Sequence, residues 1–220
     1  MLKGIIFDLD GVITDTAYFH YLAWKNEVEK LGINFDEQTN EKLKGLNRIE
    51  TLKAILKIYQ IKIEENEIIK IANAKNEYYK KLLKTKLNET YILKGIKEFI
   101  LEAKKNNLKL AIASSSFNAP YILKKINLFS YFDFIVDPSN IKKGKPDKEI
   151  FVAAQKALNL ESDEVIGIED SLSGIISLND ANIFSIAITN EPKYFKTANI
   201  ILNNTSELDL NKILKIFKNR

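Results

Sequence analysis

Asp8 and Asp10 stand at the end of a short apolar run, Ile5-Ile6-Phe7, and Gly11 interrupts the chain directly after them. Side chains alternate along an extended strand, so both carboxylates leave the same face of its end. Held that close they repel each other, and burial raises both pKa values unless a cation lies between them. Magnesium suits hard oxygen ligands of this kind. With a metal in place, one Asp can attack phosphorus while the other moves a proton. Capping a turn at the strand end is the plainer use of the same pair.

Three further clusters have residue types that complete such chemistry. Ser114, Ser115 and Ser116 follow Ile112-Ala113 directly and precede a helix, where hydroxyls and exposed amides form a phosphate site. Lys145 is fixed by Pro146, although Lys142 and Lys143 compete for any role it has. Glu169 and Asp170 follow the run Val165–Ile168 and precede Ser171. Taken one at a time, these also read as a serine-capped helix, a surface charge and a pair of helix-capping acids. Outside the clusters, the sole histidine is His20, the sole tryptophan is Trp24 one turn later, and the only arginines are Arg48 and Arg220.

The elements that must position these residues follow from periodicity. Helices are predicted from Asp15 or Thr16 to Leu31 with Gly32 as the stop, from Asp36 to about Lys44, from the capping-box segment Asn47–Glu50 to Tyr59, and from Glu64 to about Lys86. The last has Ile68, Ile71, Ala72, Tyr79, Leu82 and Leu83 on its apolar side. No strand is expected between Asp15 and Asn88, which reads as an all-helical insertion. Beyond it strand and helix alternate: helix 95–106, strand 108–113, a helix opened by Asn118 and Pro120, strand 134–136, helix 147–158, strand 165–168, a helix from Ser171, strands 184–188 and 200–202, and a closing helix 208–217. That alternation predicts an α/β fold, a doubly wound parallel sheet covered on both faces. Residues 1–14 and 89–220 would form the core domain, and 15–88 an inserted helical cap domain. In such sheets ligands sit beyond the carboxyl ends of the strands, where all four clusters fall.

Composition narrows the classes. A chain of 220 residues, 45% apolar and 28% charged, is long enough for one good core with a modest insertion. It has no cysteine, which excludes disulfides, thiolate metal sites and a cysteine nucleophile. A net charge of +4, with lysines spread among glutamates, is read as solvated surface, so nucleic acid is not an expected partner. No apolar run reaches membrane-spanning length and no secretory signal opens the chain, so a cytoplasmic location without a membrane partner is the default. The lack of a long exposed apolar stripe favours a monomer.

The order of the clusters, acid pair, serine turn, lysine, acid pair, at the ends of successive strand–helix units resembles the haloacid dehalogenase superfamily of aspartate-dependent phosphoryl-transfer enzymes. The core is then expected to be haloacid dehalogenase-like. The resemblance tightens to its β-phosphoglucomutase family through FDLDGVITDTA at Phe7–Ala17, His20, Ala23–Lys25, Leu43–Gly45 with Arg48, Lys75-Asn76, Ser114–Pro120 and GIEDSLSGI at Gly167–Ile175. It covers nearly the whole chain.

Carried over by position, the resemblance implies that Asp8 is the nucleophile and Asp10 the general acid and base. Mg2+ would be held by the Asp8 carboxylate, the Asp10 carbonyl and Asp170, with Glu169 in or next to the shell. Ser114 and Lys145 would hold the transferring phosphoryl group, and the small-molecule partner would be a sugar phosphate. His20, Trp24, Gly45, Leu46, Arg48, Lys75, Ser115, Ser116 and Asn118 would line its site. Within that set His20 would relay cap closure towards Asp10, and Arg48 would grip the second phosphate of a bisphosphate. The reaction implied joins β-glucose 1-phosphate and glucose 6-phosphate through the 1,6-bisphosphate. A magnesium-dependent phosphatase of the same superfamily is the alternative, and a non-catalytic sugar-phosphate sensor a third. One departure stands out: the family has a lysine beside the position of Asn118, and this chain has Phe117. Weaker bisphosphate affinity or a shifted sugar preference is expected from it.

Overall fold

The computed structural model describes all 220 residues, Met1–Arg220. A six-stranded parallel sheet runs through the molecule in the order β3-β2-β1-β4-β5-β6. Its strands are β1 (Gly4–Phe7), β2 (Lys109–Ile112), β3 (Phe134–Ile135), β4 (Val165–Glu169), β5 (Phe184–Ile188) and β6 (Ile200–Leu202). The order reverses beside β1, which pairs with β2 on one side and β4 on the other. The clusters after β1, β2 and β4 are therefore brought side by side at the carboxyl end of the sheet.

Alternation along the strands sorts the core into two layers. Ile5, Phe7, Leu110, Ile112, Ile166 and Ile168 pack on one face under α5 (Ile96–Lys105), α6 (Ala119–Lys125) and α9 (Leu210–Lys218). Ile6, Ala111, Val165 and Ala187 pack on the other under α7 (Glu149–Ala157) and α8 (Leu172–Asp180). Both faces are covered, so the strands read as continuous apolar runs, as parallel strands must. Fully burying a side chain of the Ile or Phe class contributes about 1.5–3 kcal/mol, and every residue of β1 is buried.

Between β1 and β2 the chain forms α1 (Ala17–Val28), α2 (Glu37–Glu41), α3 (Arg48–Ile58) and α4 (Glu65–Lys86) before α5, with no strand among them. Asp36 accepts a hydrogen bond from the Thr39 amide and Asn47 one from the Glu50 amide, so both predicted caps form. These helices have their own apolar cluster, including Tyr21, Trp24, Phe35, Leu52, Ile55 and Ile71. They are not detached from the sheet, however. Phe19 and Ala23 of α1, with Tyr79, Leu82 and Leu83 of α4, belong to the cluster on the sheet face.

The first helix is shorter than its sequence predicts. Its last three predicted residues, Glu29–Leu31, tighten into a 3-10 turn ending at Gly32 in the left-handed region. Its start differs as well: Thr16 gives α1 no side-chain cap. No helix is long and apolar enough to cross a membrane.

Candidate active site

The floor of the site is a buried ionic network. Lys145, 1% exposed, comes from the loop between β3 and α7 and places Nζ 2.5 Å from Asp8 Oδ1 and 2.6 Å from Glu169 Oε1. Its sequence rivals Lys142 and Lys143 are exposed, and only their backbone amides are engaged, donating to Glu149. Glu169 accepts at its other oxygen from the Ser171 amide at 2.6 Å and the Ser171 hydroxyl at 2.9 Å. A side chain at Gly174 would collide with that carboxylate, so α8 approaches it only because position 174 is glycine.

Both Glu169 oxygens are thus engaged, and it holds Lys145 and the start of α8 next to Asp8 and Asp170. Burial pushes Asp8 well above the usual carboxylate range, and Lys145 opposes the rise. Lys145 is itself raised, because Asp8 and Glu169 outweigh its burial.

Asp10 faces a different set of partners. Its Oδ1 accepts from the Thr16 hydroxyl and lies 3.4 Å from the Tyr79 hydroxyl and 3.6 Å from His20 Nε2. Burial acts to raise Asp10, but His20, Thr16 and Lys75 outweigh it and hold the carboxyl below its ordinary value. On the far side of the imidazole, His20 Nδ1 is 2.7 Å from Lys75 Nζ. Burial, reinforced by Lys75, lowers His20. Lys75 lies 4.9 Å from the Trp24 ring and 4.8 Å from the Tyr79 ring, and burial brings it down to about 7.

The loop after β2 joins floor to roof. Ser114 is buried, and its hydroxyl accepts from the Ser116 amide at 3.1 Å. Ser115 donates to the Gly45 carbonyl at 3.1 Å, and the Asn118 amide donates to Asn76 of α4 at 3.0 Å. The Arg48 guanidinium lies 5.9 Å from the Phe117 ring, with Nε buried and without a partner. Asp8, Asp10, His20, Trp24, Gly45, Leu46, Arg48, Lys75, Ser114, Ser115, Ser116, Asn118 and Asp170 all line one cavity of about 110 Å³. Lys145 and Glu169 lie beneath it.

The carboxylates around the cavity form a candidate donor set for a dication. Asp170 packs so closely over Gly11, at φ +90°, that any side chain there would collide with its carboxylate. Burial raises Asp170 to about 7, opposed chiefly by Lys44, whose Nζ is 3.2 Å from Oδ2. Asp8, Asp10, Glu169 and Asp170 thus gather four carboxylates, against which Lys145 and Lys44 set two ammonium groups. No three His, Asp or Glu side chains form a ready ligand cluster. Two carboxylates and a carbonyl fit magnesium, which keeps several waters.

Three contributors escaped the sequence reading. Thr16 stands at a capping position, yet its hydroxyl turns to Asp10. Tyr79 reads as an apolar position of α4, although it follows Lys75 at the i,i+4 spacing that puts both on one face, and its hydroxyl reaches Asp10. Lys44 carried no local signal beyond its place before Gly45, since its partner Asp170 is distant in the chain.

The family model described as haloacid dehalogenase-like hydrolase matches residues 5–188. The β-phosphoglucomutase of Bacillus subtilis (strain 168) is 39% identical over 212 residues, covering 95% of this chain and 92% of that protein. A phosphorylated carbohydrates phosphatase of Thermotoga maritima is 29% identical over 83% of this chain and 82% of its own. The crystal structure of β-phosphoglucomutase from Clostridium difficile superposes with a TM-score of 0.95 at 39% identity, over 100% of this chain and 98% of the other. Sheet order, clustered site and these matches agree, and the chain belongs to the haloacid dehalogenase-like hydrolase family, among its β-phosphoglucomutase relatives.

Proposed function

We propose that the protein is a magnesium-dependent β-phosphoglucomutase, interconverting β-D-glucose 1-phosphate and glucose 6-phosphate. Asp8 attacks phosphorus, the bond to the leaving oxygen breaks, and an aspartyl phosphate forms. The phosphoenzyme passes its phosphoryl group to the free sugar hydroxyl, whose proton Asp10 takes. The resulting 1,6-bisphosphate turns end over end and returns its other phosphoryl group to Asp8, while Asp10 gives the proton back to the freed oxygen. The Thr16 hydroxyl, with His20 beside it, fixes the Asp10 carboxylate for either direction.

Phosphoryl transfer is mainly positioning plus charge neutralisation. Lys145 and Ser114 hold the equatorial oxygens of the moving group, and Glu169 keeps Lys145 aimed. Asp8, the Asp10 carbonyl and Asp170 would hold Mg2+, which supplies the positive charge that lets an anionic nucleophile approach an anionic ester. Residues 15–88 act as the cap, excluding water that would otherwise hydrolyse the aspartyl phosphate.

The observation that carries the mutase reading is the roof. Arg48, Lys75 and His20 from the cap share one cavity with Asp8 and Asp10, which gives a second phosphate and a sugar somewhere to be held. The test is incubation with β-glucose 1-phosphate, Mg2+ and a trace of the 1,6-bisphosphate. Glucose 6-phosphate is expected; free phosphate without isomerisation would place the protein with the phosphatases instead. Asp8→Asn is expected to abolish turnover in the same assay, and retained activity would remove Asp8 as nucleophile.

A further inference from the structure

Polar side chains around the cavity fall into two sets. Most already have a partner in the chain: the Thr51 hydroxyl donates to the Asn47 carbonyl at 2.8 Å, and Lys44 meets Asp170. The Arg48 guanidinium, the Trp24 indole N–H and the Asn40 side-chain amide make no hydrogen bond within the protein. Arg48 and Trp24 are already accounted for as site residues. Asn40 is not.

Asn40 sits in α2 and is only 8% exposed, so what remains open of it faces the cavity it lines. Its backbone is fully used, the amide donating to the Asp36 carbonyl at 3.1 Å and the carbonyl accepting from Leu43 at 3.0 Å. The cap-forming side chain of this short helix is Asp36, so local structure gives Asn40 no role. The Asn40 amide makes no hydrogen bond in the chain and stays accessible from the cavity, and asparagine is a poor helix former. A ligand in the cavity that bonds to the amide gives the residue the role that local structure does not.

We propose that Asn40 is a specificity-determining residue whose amide reads ring hydroxyls of the sugar held under the cap. The proposal rests on the sugar-phosphate reading above. An amide offers donors and an acceptor, and a hydroxyl likewise. A sugar that presents its two ends to Asp8 in turn brings different hydroxyls to the cap, and a side chain with both capacities serves both orientations. Removing the hydroxyl strands the amide, so a site of this kind rejects the deoxy sugar.

The test compares wild type, Asn40→Ala and Asn40→Asp on β-glucose 1-phosphate and its 2-, 3- and 4-deoxy analogues. Wild type is expected to disfavour at least one analogue by about tenfold or more in kcat/KM. Asn40→Ala is expected to lose that discrimination, with a KM for the parent sugar raised about tenfold and kcat changed far less. Asn40→Asp keeps size and acceptor but gives up the donors; it is expected to lose part of the discrimination, and it carries the test should the alanine variant not fold. Discrimination that survives in both variants, or is absent from wild type, overturns the proposal. Release of free phosphate by wild type in place of glucose 6-phosphate would sink the mutase reading alone, and the same ratios would then be read from hydrolysis rates.

Discussion

Floor and roof of the cavity are built on opposite principles. In the floor every charged group is already paired: Lys145 bridges Asp8 and Glu169, and Glu169 is anchored on Ser171. In the roof the chemistry is left incomplete: Arg48 Nε is buried without a partner, the Trp24 and Asn40 side chains make no hydrogen bond in the chain, and Lys75 is buried against aromatic faces. The floor is organised before substrate arrives, as electrostatic catalysis requires. The roof leaves Arg48, Trp24 and Asn40 lining the same cavity as Asp8 and Asp10.

The largest effect should come from breaking the floor. Lys145→Ala leaves Asp8 and Glu169 buried without their shared cation, and breaking a buried pair costs about 3–5 kcal/mol. A lowered Tm, together with a kcat reduced by about a thousandfold or more, is expected, since one electrostatic donor alone is worth about 10²–10³. A variant that melts like wild type would mean that the floor is not pre-organised by Lys145.

Arg48→Ala strikes the roof. It should slow turnover of the bisphosphate by about a hundredfold, consistent with the loss of a charge-assisted phosphate contact, while phosphoenzyme formation changes little. Rapid-quench measurement of the two steps decides, and equal losses in both would remove the division of labour.

Lys75→Met should sharpen the contrast by stabilising the roof. With a folded pKa of about 7 against the ordinary 10.5, the unfolded chain binds more protons between those values, so stability rises with pH across that window. The burial penalty is fully present below about pH 7 and disappears towards pH 10.5. Lys75→Met is therefore expected to exceed wild type by up to about 5 kcal/mol in urea unfolding at pH 6, with the gap closing by pH 10. A gap independent of pH would show that Lys75 is not held against its own ionisation.

Much of this was legible in the sequence for a physical reason. Strand periodicity and the strand–helix alternation put Asp8, Ser114 and Asp170 at or beyond strand ends of one parallel sheet; that these strands are neighbours comes from the order β2-β1-β4, which the sequence does not spell out. The helical block between β1 and β2 was equally plain from its 3.6-residue spacing. Burial of charge was not legible. Lys145 looks like Lys142 and Lys143 until the fold brings Asp8 to it across 137 residues. Lys75 resembles any solvated helix lysine until Trp24 and Tyr79 close around it. Thr16 occupies a position where capping is the common use, and only the tertiary approach of Asp10 gives it a better partner.

The sharing of α1 and α4 between the two apolar clusters bears on domain grafting. Phe19, Ala23, Tyr79, Leu82 and Leu83 pack into the sheet layer although they lie inside the inserted block. A chimera that exchanges the whole insertion for that of a relative would pull five plugs out of the host's own interior. Splice points drawn along packing rather than along the loops, leaving the sheet-facing ends of both helices with the host, would keep that interior sealed and transfer only the substrate-facing half.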